Sequence, residues 1–170
     1  AFAYFNMAQL YQFTYKGNET KLCVPIVTEN MESDKQSNNP RATVQAVYDL
    51  IVDDLNNAVS LLDGYKRADK SMIDQAVAYG LRARVNLVMQ NWAEAAADAA
   101  KALEVSGAEP YTLEDVSKPT FTSADAKSVL WANIITETND VVQTGIVNWP
   151  SHLSSLFSDG YTGVGAFKSI

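Results

Sequence analysis

The sequence has very few of the residues that build disulfides and metal sites. Its 170 residues include one cysteine, Cys23, and one histidine, His152. A single cysteine forms no internal disulfide, and one cysteine with one distant histidine does not supply the nitrogen and sulfur ligands of a usual zinc site. We therefore expect no disulfide, no bound metal and no cofactor.

Long apolar runs and clusters of positive charge are also missing. The apolar stretches fall well short of the roughly 20 residues of a membrane-spanning helix, and no basic segment leads into an apolar core as in a signal peptide. The 13 Lys and Arg residues are scattered, and 20 Asp and Glu residues give a net charge of −7. This distribution excludes nucleic acid as an expected partner.

The chain begins inside an apolar pattern and stops after a Gly-rich run, so we expect a fragment of a larger protein.

The strongest pattern that is present is a pair of helical repeats between Gln75 and Val105, separated at Gln90 and Asn91. Apolar and small residues recur three and four positions apart in both halves: Ala76, Tyr79, Gly80, Ala83 and Leu87, then Trp92, Ala95, Ala96, Ala99, Ala102 and Leu103. Small residues allow two helix backbones to approach closely. The pattern predicts an αα-hairpin with Trp92 packed in its core.

Residues in and around the hairpin predict one ion pair and two helix caps. Arg82 and Arg84 are the two charges of an otherwise apolar helix, so we expect at least one of them to pair with an acid such as Asp54 or Asp98. Asp74 is placed to cap the start of the hairpin, and Gly107 to end it in a left-handed turn.

Two further helices are predicted before the hairpin. The first spans residues 1–15 and is rich in aromatic residues, of which Tyr15 is placed to emerge into the following loop. The second begins at Arg41 or Thr43, after Pro40, and carries an apolar face. That face comprises Val44, Val47, Tyr48, Ile51, Leu55, Ala58, Leu61 and Leu62. Residues 17–40 between them are polar and indicate a long loop with an apolar island at 22–27.

The character of the chain changes after Pro110. Residues 129–136 (VLWANIIT) predict either a short strand or a buried extended segment, with Trp131 in the core. Residues 145–170 combine Gly and Ser with aromatic residues, as is typical of loops. The predicted fold is therefore mainly α, with tetratricopeptide-like helical hairpins, long loops and an irregular C-terminal segment. We expect residues 1–107 to form the helical scaffold and residues 108–170 to pack on it.

No set of residues predicts catalysis. Ser151, His152 and Asp159 are the residue types of a hydrolytic triad, but sequence neighbours rarely face each other and no GxSxG motif accompanies them. Asp53 and Asp54 point about 100° apart on a helix, which predicts a solvated face rather than a catalytic pair. We therefore expect no catalytic residues and no enzyme.

One further acidic cluster offers possible ligands for a cation. Glu29, Glu32 and Asp34 supply oxygen ligands, but without the regular spacing and turn glycine of a calcium loop.

Aromatic and polar residues in the tail are the candidate ligand contacts. A sugar ring packs its C–H face on an indole or phenol, while amide, imidazole and carboxylate groups bind its hydroxyls. Trp149 and Tyr161 offer the rings, and Asn148, His152 and Asp159 the polar groups. The alternative is that these aromatic residues fill a hydrophobic core.

Four segments in this order resemble the SusD/RagB family of Bacteroidetes: AFAYFNMAQLY, CVPIVTE, NPRATVQAVYDLIVDDLNNAVSLL, and the hairpin with its Asn-Trp turn. The resemblance extends over residues 1–105 and implies that the chain is part of one larger SusD-like domain. It further implies a surface-exposed outer-membrane lipoprotein that binds nutrient glycan and delivers it to a SusC-like TonB-dependent transporter.

The same resemblance implies that the membrane is contacted only through a lipid anchor absent from this chain. Cys23, in KLCVPI, does not follow an apolar signal and is not that anchor. A tetratricopeptide-type adaptor that binds proteins or peptides is the alternative function. It predicts further repeats of about 34 residues, and the sequence after Pro110 does not continue the pattern.

Overall fold

A computed structural model describes residues 1–28, 31–32, 38–117 and 123–134. Its helices are α1 (Phe2–Tyr11), α2 (Val44–Leu61), α3 (Gln75–Met89), α4 (Trp92–Ser106) and the short α5 (Leu113–Val116), and its strands are β1 (Leu22–Pro25) and β2 (Arg41–Thr43). The mainly α fold expected from the sequence is confirmed. The chain divides into compact units 1–132 and 133–170, and Asn133 and Ile134 are the described residues of the second.

Helix α1 ends at Tyr11, four residues before the predicted end. Gln12 adopts an extended conformation (φ −143°, ψ 160°) that stops the helix. Tyr15 does not emerge into the loop as expected, because its ring is buried 4.8 Å from that of Tyr48 and its hydroxyl donates to Oε1 of Gln45 at 2.7 Å. The chain thus turns back onto α2 directly after α1.

A small antiparallel sheet replaces part of the predicted loop. Leu22 pairs with Thr43 and Pro25 with Arg41, so the apolar island becomes β1 and the predicted helix start becomes β2. The guanidinium of Arg41 donates to the carbonyl oxygens of Cys23 and Leu22. Helix α2 therefore begins at Val44, where Oγ1 of Thr43 accepts a hydrogen bond from the Ala46 amide at 3.2 Å.

The main core lies between α1, the sheet, α2 and α3. Its buried side chains are Phe5, Ala8, Tyr15, Cys23, Val24, Val44, Val47, Tyr48, Ile51, Leu55, Val77, Leu81 and Val85. Most of the predicted apolar face of α2 is therefore buried, but Leu61 is 83% exposed in the last turn of the helix. Within the described ranges, no helix combines the length and apolar character needed to cross a membrane.

The predicted hairpin forms, with its break and caps where expected. Asp74 accepts from the Val77 amide at 3.0 Å, Gln90 ends α3 with φ 66°, and Gly107 ends α4 with φ 64°. Its packing differs from the prediction, since Trp92 is 60% and Leu87 54% exposed. Buried Ala95 and Ala102 form the α4 side of the close helix contact, which leaves the bulky residues on an adjacent open face.

Candidate functional site

The predicted ligand contacts lie outside the described residues. Asn148, Trp149, His152, Asp159 and Tyr161 all belong to 135–170, and Ser151 lies there too. Glu29 and Asp34 of the acidic cluster also fall outside the described ranges, whereas Glu32 is described and exposed. Residues 1–28, 31–32, 38–117 and 123–134 contain no group of three or more His, Cys, Asp or Glu arranged to hold a metal ion.

Residues 123–132 form a strap that fastens the chain to the connector between α2 and α3. Lys70 holds it from two sides: its Nζ donates to the Ala126 carbonyl at 2.8 Å, and its own carbonyl accepts from the Ala132 amide at 3.0 Å. Nε1 of Trp131 donates to the Ser71 carbonyl at 3.0 Å. The described residues 129–134 contain no strand, so of the two predicted alternatives the short strand is wrong for this part.

Trp131 contacts two segments at the surface rather than filling the core. Its side chain is edge-on to the ring of Phe2, with centroids 5.2 Å apart, and the residue is 36% exposed. The preceding Leu130 lies over Gly80 of α3, where a Cβ would sit 3.5 Å from Cδ2 of Leu130. The prediction of a core tryptophan was wrong because an apolar run of sequence does not say whether a second layer covers it.

A polar network that is buried at Asn86 and Asp98 links α2, α3 and α4. Arg82 donates to both carboxylate oxygens of Asp98, at 2.9 and 2.6 Å, and to Oδ1 of Asn56 at 2.8 Å. Asn86 donates to Asp98 at 3.2 Å. The bond to Asp98 raises the pKa of the Arg82 guanidinium. This confirms the predicted ion pair with Asp98 as partner, and its full hydrogen bonding indicates a structural role.

The paired carboxylates of α2 and the thiol of Cys23 occupy opposite environments, the first exposed and the second buried. Asp53 and Asp54 are exposed on α2, as predicted for a solvated face. Cys23 is 1% exposed, and burial raises the pKa of its thiol, which keeps it in the unreactive protonated form. Burial likewise raises the pKa of Tyr48 to about 12.

A polar cavity of about 310 Å³ lies beside the end of α4, and its three cationic side chains are all engaged within the fold. Arg67 pairs with Asp74 at 2.8 Å, Lys70 holds the strap, and Lys127 pairs with Asp115 at 3.1 Å. These contacts fasten the connector to the start of α3 and the strap to the connector and to α5, and they leave little unbalanced charge for a ligand.

Sequence reasoning missed the contacts that hold the loops in place. The Tyr4 hydroxyl accepts from the Val27 amide at 2.7 Å and donates to the Val27 carbonyl at 3.1 Å, which ties residues 26–28 to α1. Lys70 likewise joins the connector to the strap through the Ala126 carbonyl. Both contacts join residues more than 20 positions apart, and no local pattern marks such pairs.

Comparison with known proteins identifies the family. A SusD-like family model, described as "Starch-binding associating with outer membrane", matches residues 1–87. The chain is similar to a SusD-like carbohydrate-binding protein from Bacteroides vulgatus, with 28% identity and a TM-score of 0.70 over 80% of this chain and 28% of that one. No curated protein matches it.

Two further solved structures support the comparison. One, from Bacteroides vulgatus and named for sugar binding, is 30% identical with a TM-score of 0.62, over 76% of this chain and 30% of that one. A SusD-like protein from Bacteroides fragilis, at 22% identity and a TM-score of 0.57, covers 81% of this chain and 27% of its own length, and shares the fold. The chain thus spans less than a third of the length of these relatives. Because the family model covers half of the 170 residues, the chain belongs to the SusD-like family.

Proposed function

We propose that this chain is part of a non-catalytic protein that binds nutrient glycan and delivers it to a SusC-like TonB-dependent transporter. The observation that carries the proposal is the match of residues 1–87 to a family described by starch binding and outer-membrane association. The carbohydrate-binding relative from Bacteroides vulgatus supports the same ligand class. The thiol is buried, and Asp53 and Asp54 lie exposed on α2, where Asp54 pairs with the N-terminal amine of Ala1 at 2.8 Å; these environments favour binding over catalysis.

In this proposal the two parts of the chain divide the work. Residues 1–107 act as a rigid helical scaffold, and residues 108–170 form a loop-rich segment that packs on it and presents the ligand contacts. Rigid elements hold binding loops in place at low entropic cost. We assign ring stacking to Trp149 and Tyr161, and hydroxyl binding to Asn148, His152 and Asp159.

The protein is proposed to be a surface-exposed outer-membrane lipoprotein. Its lipid anchor is not carried by this chain, because Cys23, the single cysteine, is 1% exposed within β1 and is not available for lipidation. Isolation of the native complex from outer membranes tests the transporter partner. We expect a TonB-dependent transporter to co-purify, and its absence from membranes rich in the protein would count against delivery.

Affinity electrophoresis against a panel of polysaccharides, with amylopectin included, tests glycan binding. We expect retardation in at least one glycan, and Trp149→Ala to weaken binding about fivefold because a stacking ring contributes on the order of 1 kcal/mol. Trp92→Ala is the matched control, since Trp92 is exposed on the scaffold.

The two results separate the function from the site. No retardation in any glycan would contradict glycan binding and favour a peptide ligand. Retardation that Trp149→Ala leaves unchanged, in a protein with unchanged folding, would retain the function and reject Trp149 as a contact.

A further inference from the structure

A further cavity, of about 350 Å³, is bounded by the connector between α2 and α3 and by the end of α4. This connector pocket has both apolar and polar residues in its lining, which are Leu62, Gly64, Tyr65, Lys66, Arg67, Asp74, Gln75 and Val105. Its volume lies within the range of roughly 300 to 1,000 Å³ that small-ligand sites occupy. The glycan contacts proposed above all belong to 135–170, so the connector pocket is a different part of the chain.

The apolar part of the lining carries an aromatic ring. Tyr65 is 44% exposed, while its hydroxyl donates to Sδ of Met72 at 4.0 Å and its amide to the Leu62 carbonyl at 3.1 Å. Leu62 and Val105 line the pocket together with it. The ring is thus held from both ends and keeps exposed surface on which the C–H face of a sugar can pack.

The polar part of the lining offers one donor and one acceptor that the fold does not use. Lys66 is exposed and forms no hydrogen bond or ion pair with any residue that the structure describes. Nε2 of Gln75 donates to the Val59 carbonyl at 3.0 Å and to Oδ1 of Asp63 at 3.2 Å. Its Oε1 accepts from no described residue, so an ammonium donor and an amide acceptor are both open to a ligand.

The charges around the connector pocket are balanced, which favours an uncharged ligand. Nε of Arg67 pairs with Asp74 at 2.8 Å, so these two charges offset each other. Lys66 is matched by Asp63, which is joined to the lining through Gln75. An ion would gain little net attraction here, whereas hydroxyl groups both donate and accept hydrogen bonds and suit a mixed lining.

We propose that the connector pocket is a second glycan subsite, which takes one uncharged pyranose unit with its C–H face on Tyr65 and its hydroxyls on Lys66 and Gln75. This inference rests on the proposed function, because it assigns a further contact to the same class of ligand. Two contacts on one polysaccharide chain bind more tightly than either alone, since the first raises the local concentration of the chain at the second. The helical scaffold thereby gains a binding role besides holding the loops.

Affinity electrophoresis of the full chain, in gels that contain either amylopectin or polygalacturonate, tests the subsite and the class of its ligand. Tyr65→Ala removes the ring, and Tyr11→Ala removes an exposed tyrosine of α1 that does not line the pocket. We expect Tyr65→Ala to weaken retardation by the uncharged polysaccharide about fivefold and Tyr11→Ala to leave it unchanged.

A second pair of variants tests the donor. Lys66→Met keeps most of the stem and removes the ammonium group, while Lys16→Met does the same at an exposed position outside the pocket. We expect Lys66→Met to weaken retardation about fivefold, because a charge-assisted hydrogen bond is lost, and Lys16→Met to have no effect. Circular dichroism checks that all four variants keep the fold.

The outcomes separate this subsite from the proposed function. Retardation that neither Tyr65→Ala nor Lys66→Met changes, or that the control variants weaken equally, would overturn the subsite and leave glycan binding standing. Weakened retardation in polygalacturonate alone would also overturn it, by making the ligand an acidic sugar. If no polysaccharide retards the protein, the proposed function fails and the subsite fails with it.

Discussion

At the scale of single residues, Arg82 and Asp98 show how one charge fixes the packing of the hairpin. The side chain of Asp98 is 9% exposed and receives hydrogen bonds from Arg82 and Asn86. We expect Asp98→Ala to lower the free energy of unfolding by about 3 kcal/mol, because it leaves the half-buried guanidinium without its partner. Urea denaturation followed by circular dichroism measures the change.

Glu104→Ala is the control for that substitution, since the Lys101–Glu104 pair on α4 is exposed. It should change stability little, as exposed pairs do. Equal losses for Asp98→Ala and Glu104→Ala would show that burial of Asp98 has no energetic consequence.

The sequence predicted a partner for Arg82 or Arg84, but it could not choose between Asp54 and Asp98. The helix packing decides, because Asp54 lies on an exposed face of α2 and Asp98 on the buried side of α4.

At the scale of elements, the turn between α3 and α4 depends on one residue in an unfavourable conformation. Gln90 has φ 66°, and among the described residues it is the one non-glycine residue with a positive φ. Glycine adopts this conformation without steric cost, so we expect Gln90→Gly to raise the free energy of unfolding by about 1 kcal/mol. Thermal and urea melts of the purified variant measure it.

The matched control places the same residue inside a helix. Ala97→Gly, at an exposed position of α4, should lower the free energy of unfolding by about 1 kcal/mol, because glycine raises the conformational entropy of the unfolded chain. If Gln90→Gly is as destabilising as Ala97→Gly, the left-handed conformation at position 90 carries no strain.

The same scale shows which elements the sequence could predict. Helices α2, α3 and α4 follow from local apolar periodicity, and Asp74 and Gly107 mark their ends. Strands β1 and β2 were missed because they have four and three residues and pair across the intervening loop. Periodicity also identified Trp92 as part of an apolar face, but it could not tell whether the chain itself covers that face.

At the scale of the whole molecule, the aromatic core makes stability sensitive to alkaline pH. Burial raises the pKa of Tyr48 from 10.0 to about 12. A raised pKa of the folded state gives stability that is complete below pH 10 and is lost as the pH rises towards 12, because the unfolded chain ionises first. We expect about 2 to 3 kcal/mol of this loss to come from Tyr48.

Urea denaturation at intervals between pH 9 and 12 tests this contribution against Tyr48→Phe. The variant should lose less stability over that range, while Tyr15, whose pKa burial also raises, remains to titrate in both proteins. Identical pH profiles would mean that Tyr48 ionises as easily in the folded protein as in the unfolded chain.

The core was largely predictable from the sequence. The exposure of Trp92 and Trp131 was not, since an apolar pattern does not show which faces the chain covers.

The buried thiol of Cys23 has a practical consequence for spectroscopy. Because it is 1% exposed and stays protonated near neutral pH, it will not compete for thiol reagents in the folded protein. Fluorophores or spin labels can therefore be attached at an added surface cysteine without removing the native one. Slow labelling of Cys23 itself would then time how often β1 separates from the helices beneath it.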